Sequence, residues 1–104
     1  MAKKLRPMHP GEILLEEFMK PLGLSMNRMA MDLRVPVTRI ADIVHERRGI
    51  TADTALRFAR YFENSPTFWM NLQIRFDLET AEGRIAAKVQ RDVQPRQDIH
   101  VLES

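Results

Sequence analysis

The sequence predicts an all-α protein, with five short helices packed crosswise into one domain and a helical extension behind them. Three observations carry that expectation. Strand-like alternation is nearly absent, apolar residues recur at three- and four-residue steps, and helix-start residues stand ahead of most such stretches. A length of 104 residues suits a single core. The expected division is a domain over residues 1–78 and an extension with a polar tail over residues 79–104.

Each element has its own signals. The first helix opens at His9-Pro10-Gly11-Glu12, since proline is tolerated in a first turn and Glu12 sits near the positive end of the helix dipole. Leu14, Leu15 and Phe18 share one face, and Pro21 and Gly23 end the helix. Ser25 N-caps a second, short helix with Met29, Ala30 and Leu33 turned inward. Arg34-Val35-Pro36 breaks it. A third helix runs from about Pro36 to His45 and buries Ile40, Ile43 and Val44. Thr51 N-caps the fourth, with Asp53 in its first turn and Ala55, Leu56, Ala59 and Phe62 facing inward. Ser65-Pro66 starts a fifth, which carries Phe68, Trp69, Leu72, Ile74 and Phe76. Residues 79–89 either continue it or form a sixth, and from Gln94 the chain reads as a loosely held tail.

Composition narrows the function classes. No apolar run approaches the ~20 residues that span a bilayer, and the start lacks a signal-peptide core, so the expected location is cytoplasmic with no membrane partner. The absence of cysteine excludes disulfides, thiolate metal sites and thiol catalysis. A net charge of +2 says little by itself, but its distribution says more. Residues 1–50 hold 9 Lys and Arg against 6 Asp and Glu, whereas residues 51–104 hold 7 against 8. The basic excess hints at a phosphate-facing surface in the N-terminal half.

The informative stretch runs from Leu24 to Val44. Two short helices meet there at a three-residue turn, with the small Ala30 where they cross closely and Val35 and Ile40 available for a shared core. That is the helix-turn-helix arrangement, whose second helix presents its N-terminal residues to base edges in the major groove. Periodicity leaves Val37, Thr38, Arg39 and Asp42 exposed. Arg39 can donate twice to a guanine, Thr38 can bond several bases, Val37 can pack on a thymine methyl, and Asp42 can accept from cytosine or repel wrong sequences. The plainer reading is a helical hairpin with a solvated charged face. Arg28, Arg34, Arg47 and Arg48 are candidate phosphate contacts.

Several words make the pattern more specific: His9-Pro10-Gly11-Glu12-Ile13-Leu14, Leu22-Gly23-Leu24-Ser25 and Arg48-Gly49-Ile50-Thr51-Ala52-Asp53-Thr54-Ala55-Leu56-Arg57. Ala59-Arg60-Tyr61-Phe62 and Ser65-Pro66-Thr67-Phe68-Trp69-Met70-Asn71-Leu72-Gln73 follow in order. With these the chain resembles the Xre/lambda-repressor-like helix-turn-helix superfamily and, within it, the HigA antitoxin family. The resemblance implies a five-helix lambda-repressor-like domain with a C-terminal helical extension. It also implies the antitoxin half of a toxin–antitoxin pair, which binds a HigB-like ribonuclease toxin and represses its own operon as a dimer on palindromic operator DNA. The family's base-reading positions fall on Val37, Thr38, Arg39 and Asp42, and its backbone contacts on Ser25, Met26, Asn27, His45 and Arg47. Many relatives have Gln where this chain has Met26, and Asn-Gly where it has His45-Glu46. A methionine cannot make the polar contact of a glutamine, and Glu46 is unfavourable near phosphates unless it points away or pairs with Arg47 or Arg48. A stand-alone Xre-type or phage-type regulator without a toxin remains an alternative, as does a module that masks a toxin without binding DNA.

Other features admit plainer explanations. His9 and Glu12 have an H-x-x-E spacing without a second ligand cluster, while His45 and His100 stand alone, so neither a metal site nor a catalytic set is expected. No glycine-rich phosphate loop is present, and no cofactor or enzymatic activity is expected. Of the methionines Met19, Met26, Met29, Met31 and Met70, Met29 suits core filling and Met31 an adaptable surface. The fifth helix is apolar on more than one face, and such a surplus is often buried against a symmetric partner. Trp69, Met70, Leu72, Gln73 and Phe76 are accordingly the expected homodimer contacts.

Overall fold

The computed structural model describes residues 6–97, which contain five helices and no strand. His100, with the end of the tail, lies outside them. Helix α1 covers residues 10–22, α2 is Met26–Leu33, α3 is Val37–Val44, α4 is Ala52–Phe62 and α5 is Pro66–Asp92. The all-α expectation holds.

The starts follow from capping chemistry. The hydroxyls of Ser25, Thr51 and Ser65 accept from the backbone N–H groups of Arg28, Thr54 and Phe68, satisfying donors that a helix start leaves open. Helix α3 starts without such help, because Pro36 is its N-cap rather than its first residue. His9 caps α1 through its ring, whose Nδ1 accepts from Gly11 N–H at 2.9 Å. The ring is buried and meets Phe76 edge-on at 4.8 Å. Burial holds its pKa below the usual histidine value against the opposing pull of Glu46 and Asp77, so the neutral, accepting form is favoured.

Helix α1 is not uniform. An α-turn over Pro10–Ile13 widens into a π-turn over Leu14–Met19 and closes with Lys20–Leu22. In a straight α-helix the ring of Pro21 collides with the carbonyl four residues back. Just before it, the Lys20 N–H reaches Leu15 O, five residues back, which opens the helix at that point. Pro21 therefore sits inside the last turn instead of ending the helix, and Gly23, at φ 65°, does the ending. Leu24 N–H bonds Met19 O and Gly23 N–H bonds Lys20 O, the paired closure of a left-handed C-terminus. Arg34, Glu46 and Glu63 also hold positive φ values, of 62°, 63° and 58°, just past α2, α3 and α4. The left-handed region disfavours any side chain with a Cβ by about 1–2 kcal/mol. His45-Glu46 thus stands where Asn-Gly fits best.

The core gathers Leu14, Met29, Ile40, Ile43, Phe58 and Trp69, all essentially inaccessible. Two expectations need correction. Leu56 is 61% exposed, and Phe58 lies in the core in its place. Helix α4 buries Thr54, Ala55, Phe58 and Ala59, a stripe at three- and four-residue steps from which Leu56 is turned away. Trp69 is no surface contact either. It is 0% exposed within its own protomer, ringed by Phe18, Phe58 and Phe68 at 5.0 Å, and its indole N–H donates to Asn64 Oδ1 at 2.9 Å. Met70 and Leu72 pack against the same core, and Phe76 against His9. Gln73 Oε1 accepts from Ile50 N–H at 2.6 Å, while its amide donates to Asp77.

Residues 79–89 continue α5 without a break. All of α5 beyond Thr80 is exposed. Ile74, Leu78, Ile85 and Val89 recur at four- and seven-residue steps and form an exposed apolar stripe along it.

Candidate nucleic-acid interface

Helices α2 and α3 meet through Arg34-Val35-Pro36, with Ala30 and Ile40 buried between them. Ile40 and Ile43 anchor α3 inward, which turns Thr38 out, while Val37, on the Ile40 side, is left open as the first residue of the helix. Val37 is 40% exposed. Gly11 sets the depth of the helix. A Cβ added there would lie 1.9 Å from Ile43 O, so α1 touches the α3 backbone directly.

The charged candidates are engaged. Arg39 donates through Nη1 to Asp53 Oδ1 at 2.8 Å, and its side chain is only 27% exposed. Asp53 also receives Arg57 Nε at 2.7 Å, and Arg57 Nη1 continues to Leu33 O at 2.9 Å. Hydrogen bonds from Arg57, and then from Arg39, hold the Asp53 carboxyl below the usual carboxylate range. Asp42 accepts from Arg47 Nε at 3.1 Å and Nη2 at 2.9 Å. Neither Arg47 nor Asp42 is therefore the independent group its sequence position suggests. Arg47 pairs with Asp42 rather than with Glu46, whose charge is felt by His9, and stays 60% exposed.

The remaining candidates fall around this helix. His45, Arg47 and Arg48 are exposed in the turn after α3. Asn27 and Arg28 are exposed in the first turn of α2, where Arg28 pairs with Asp32 at 3.4 Å, while Ser25 is occupied as the cap. Met26 is half-buried against the core, a place that suits an apolar thioether. Asp53 and Arg57 are the residues that sequence reasoning missed. Their four-residue spacing is a readable helix pair, but the link from Asp53 to Arg39 crosses between elements. Among the described residues no three His, Asp or Glu side chains converge as metal ligands, and no helix is long and apolar enough to cross a membrane.

Two short helices in this crossing, within five helices around one core, define a helix-turn-helix protein of the lambda-repressor-like class. No family model matches the chain. It is 55% identical over 75 residues to virulence-associated protein I of Dichelobacter nodosus, covering 72% of this chain and 69% of that one. The HigA antitoxin of Pseudomonas aeruginosa, solved with the higBA promoter, superposes with a TM-score of 0.84 at 43% identity, over 86% of this chain and 98% of that one. Antitoxin GraA in complex with its operator gives 0.84 at 42% identity, over 92% and 97%. The chain belongs to the HigA family of DNA-binding helix-turn-helix antitoxins and transcription regulators.

Proposed function

We propose that the chain represses its own operon as a homodimer on a palindromic operator and neutralises a HigB/RelE-like mRNA-cleaving toxin. The observation that carries the DNA half is the exposed first turn of α3, flanked by the start of α2 and by His45, Arg47 and Arg48. Thr38 and Arg39 read bases in this assignment, Val37 packs on a thymine methyl, and Arg47 and Arg48 reach phosphates. Solved relatives that hold promoter or operator DNA support DNA binding by this fold.

Pairing of two copies uses α5. The stripe of Ile74, Leu78, Ile85 and Val89 is left uncovered within the protomer. Asp77, Glu79 and Glu82 precede Arg84, Lys88 and Arg91 along the same helix, and although Arg75 already pairs with Glu79 and Asp92 with Lys88, antiparallel copies set a net acidic stretch against a net basic one. Of the residues expected at this contact, Met70 adjoins the stripe, four positions before Ile74, whereas Leu72, Gln73 and Phe76 lie with Trp69 on the side of α5 that packs on the domain. Such a pair presents two α3 helices to successive major grooves about 34 Å apart.

Selection from randomised duplexes tests the DNA assignment. The wild type should enrich a palindrome. Arg39→Ala should cost roughly 1–3 kcal/mol on it and flatten the preference at one symmetric base pair. Arg47→Ala should weaken all sequences alike and reduce the log–log salt slope by about 0.9. Retention of the full base preference by Arg39→Ala would refute the assignment.

The toxin half rests on membership of the antitoxin family. Where a small basic RelE-like protein is encoded beside it, co-expression should restore growth that this neighbour arrests. Continued arrest would leave a stand-alone regulator, the second reading.

A further inference from the structure

We propose that Asp53 is a positioning residue for base readout, a carboxylate outside the helix-turn-helix that holds the Arg39 guanidinium ready for the base edge. The inference rests on the assignment of Arg39 as a base reader. Three observations support it. The side chain of Arg39 is laid down on the surface, at 27% exposure against 60% for Arg47 and 65% for Arg28. Its contact with Asp53 runs through Nη1 alone, so the bond itself does not occupy the Nε and Nη2 hydrogens that a bidentate guanine contact uses. Asp53 is in turn fixed from behind. Arg57 grips the same Oδ1 and is itself tied to the carbonyl of Leu33, so the ends of α2, α3 and α4 are joined by one chain of charged bonds.

Stability does not explain this arrangement, because exposed ion pairs contribute only about 0–1 kcal/mol. Orientation does. A free arginine gives up most of its rotamer freedom when it docks bidentately, and one that is already held gives up less. A carboxylate beside the groove also repels phosphate, which disfavours binding to sequences that offer Arg39 no guanine.

The two effects together give Asp53→Asn an unusual signature. Discrimination between the operator and a version altered at the Arg39 base pair should fall by about threefold or more, while binding to a random duplex stays unchanged or tightens up to about threefold. Asp53→Glu, which keeps the charge, should retain part of the discrimination. Melting temperatures of both variants should stay near that of the wild type. Unchanged discrimination in Asp53→Asn would overturn the proposal. So would a proportional weakening on operator and random DNA, the mark of a purely structural residue. Arg39→Ala measured alongside separates the two levels. If it too leaves discrimination unchanged, the base-reading assignment has failed. If it abolishes discrimination while Asp53→Asn does not, only the positioning role has.

Discussion

Gly11→Ala is expected to destabilise the protein and abolish operator binding, although it adds a single methyl group in the first turn of α1. That methyl would stand 1.9 Å from the carbonyl oxygen of Ile43 and 2.8 Å from its carbon, distances at which something must move. Neither atom belongs to a side chain, so no rotamer change relieves the contact. Either α1 withdraws or α3 is pushed outward, and α3 is the helix that carries Val37, Thr38 and Arg39. The cost should reach the upper end of the ~1–3 kcal/mol usual for overpacking, or exceed it. DNA binding should fall further than stability alone accounts for, because groove contacts depend on helix position. Urea unfolding and operator titration at a temperature where the variant remains folded check both parts. A variant within about 0.5 kcal/mol of wild type would show that the two backbones do not meet this closely.

Trp69→Ala is expected to cost about 3–5 kcal/mol, a large share of the stability of a domain this size. The indole lies among Phe18, Phe58, Phe62 and Phe68, and its N–H is spent on Asn64. Removal empties the centre of the core and strips Asn64 Oδ1 of its donor. Melting should drop by well over 10 °C. The size of the drop should not depend on protein concentration, because the lost contacts lie within one protomer. A drop that vanishes at high concentration would return Trp69 to an interface between copies.

The helix ends were legible because they rest on local chemistry. Ser25, Thr51 and Ser65 cap within three residues of themselves, and Gly23 adopts the left-handed turn that favours glycine. The helix-turn-helix was legible for the same reason, since its turn and its buried Ala30 and Ile40 fall within 20 residues of sequence. What escaped involves elements that meet only in the fold. Leu56 and Phe58 are both apolar, and which of them faces the core depends on how α4 is rolled against α5. The π-turn before Pro21 follows from a clash between the ring and a carbonyl, which no apolar periodicity reports. In sequence Arg39 and Asp42 stand as free groups, and only the placement of Asp53 and Arg47 beside them reveals otherwise. The sequence points Trp69 to an interface because its helix carries more apolar residues than one face holds. The structure divides that surplus, with Trp69 inside and Ile74 and Leu78 outside.

Mechanically, α5 is a rod. Its 27 residues reach about 40 Å at 1.5 Å per residue, and the near end is bolted in place by Trp69 and by the bond of Gln73 to Ile50. Ile50 closes the segment that leads out of α3, so the rod is geared to the region beside the recognition helix. Gly83, with open space around it, is the softest joint along the rod, and it lies beyond Ile74 and Leu78. A body that grips those two residues takes hold inside the stiff part. Its pull reaches the Gln73 joint through helix that no glycine interrupts, whereas a grip at Ile85 or Val89 acts across Gly83.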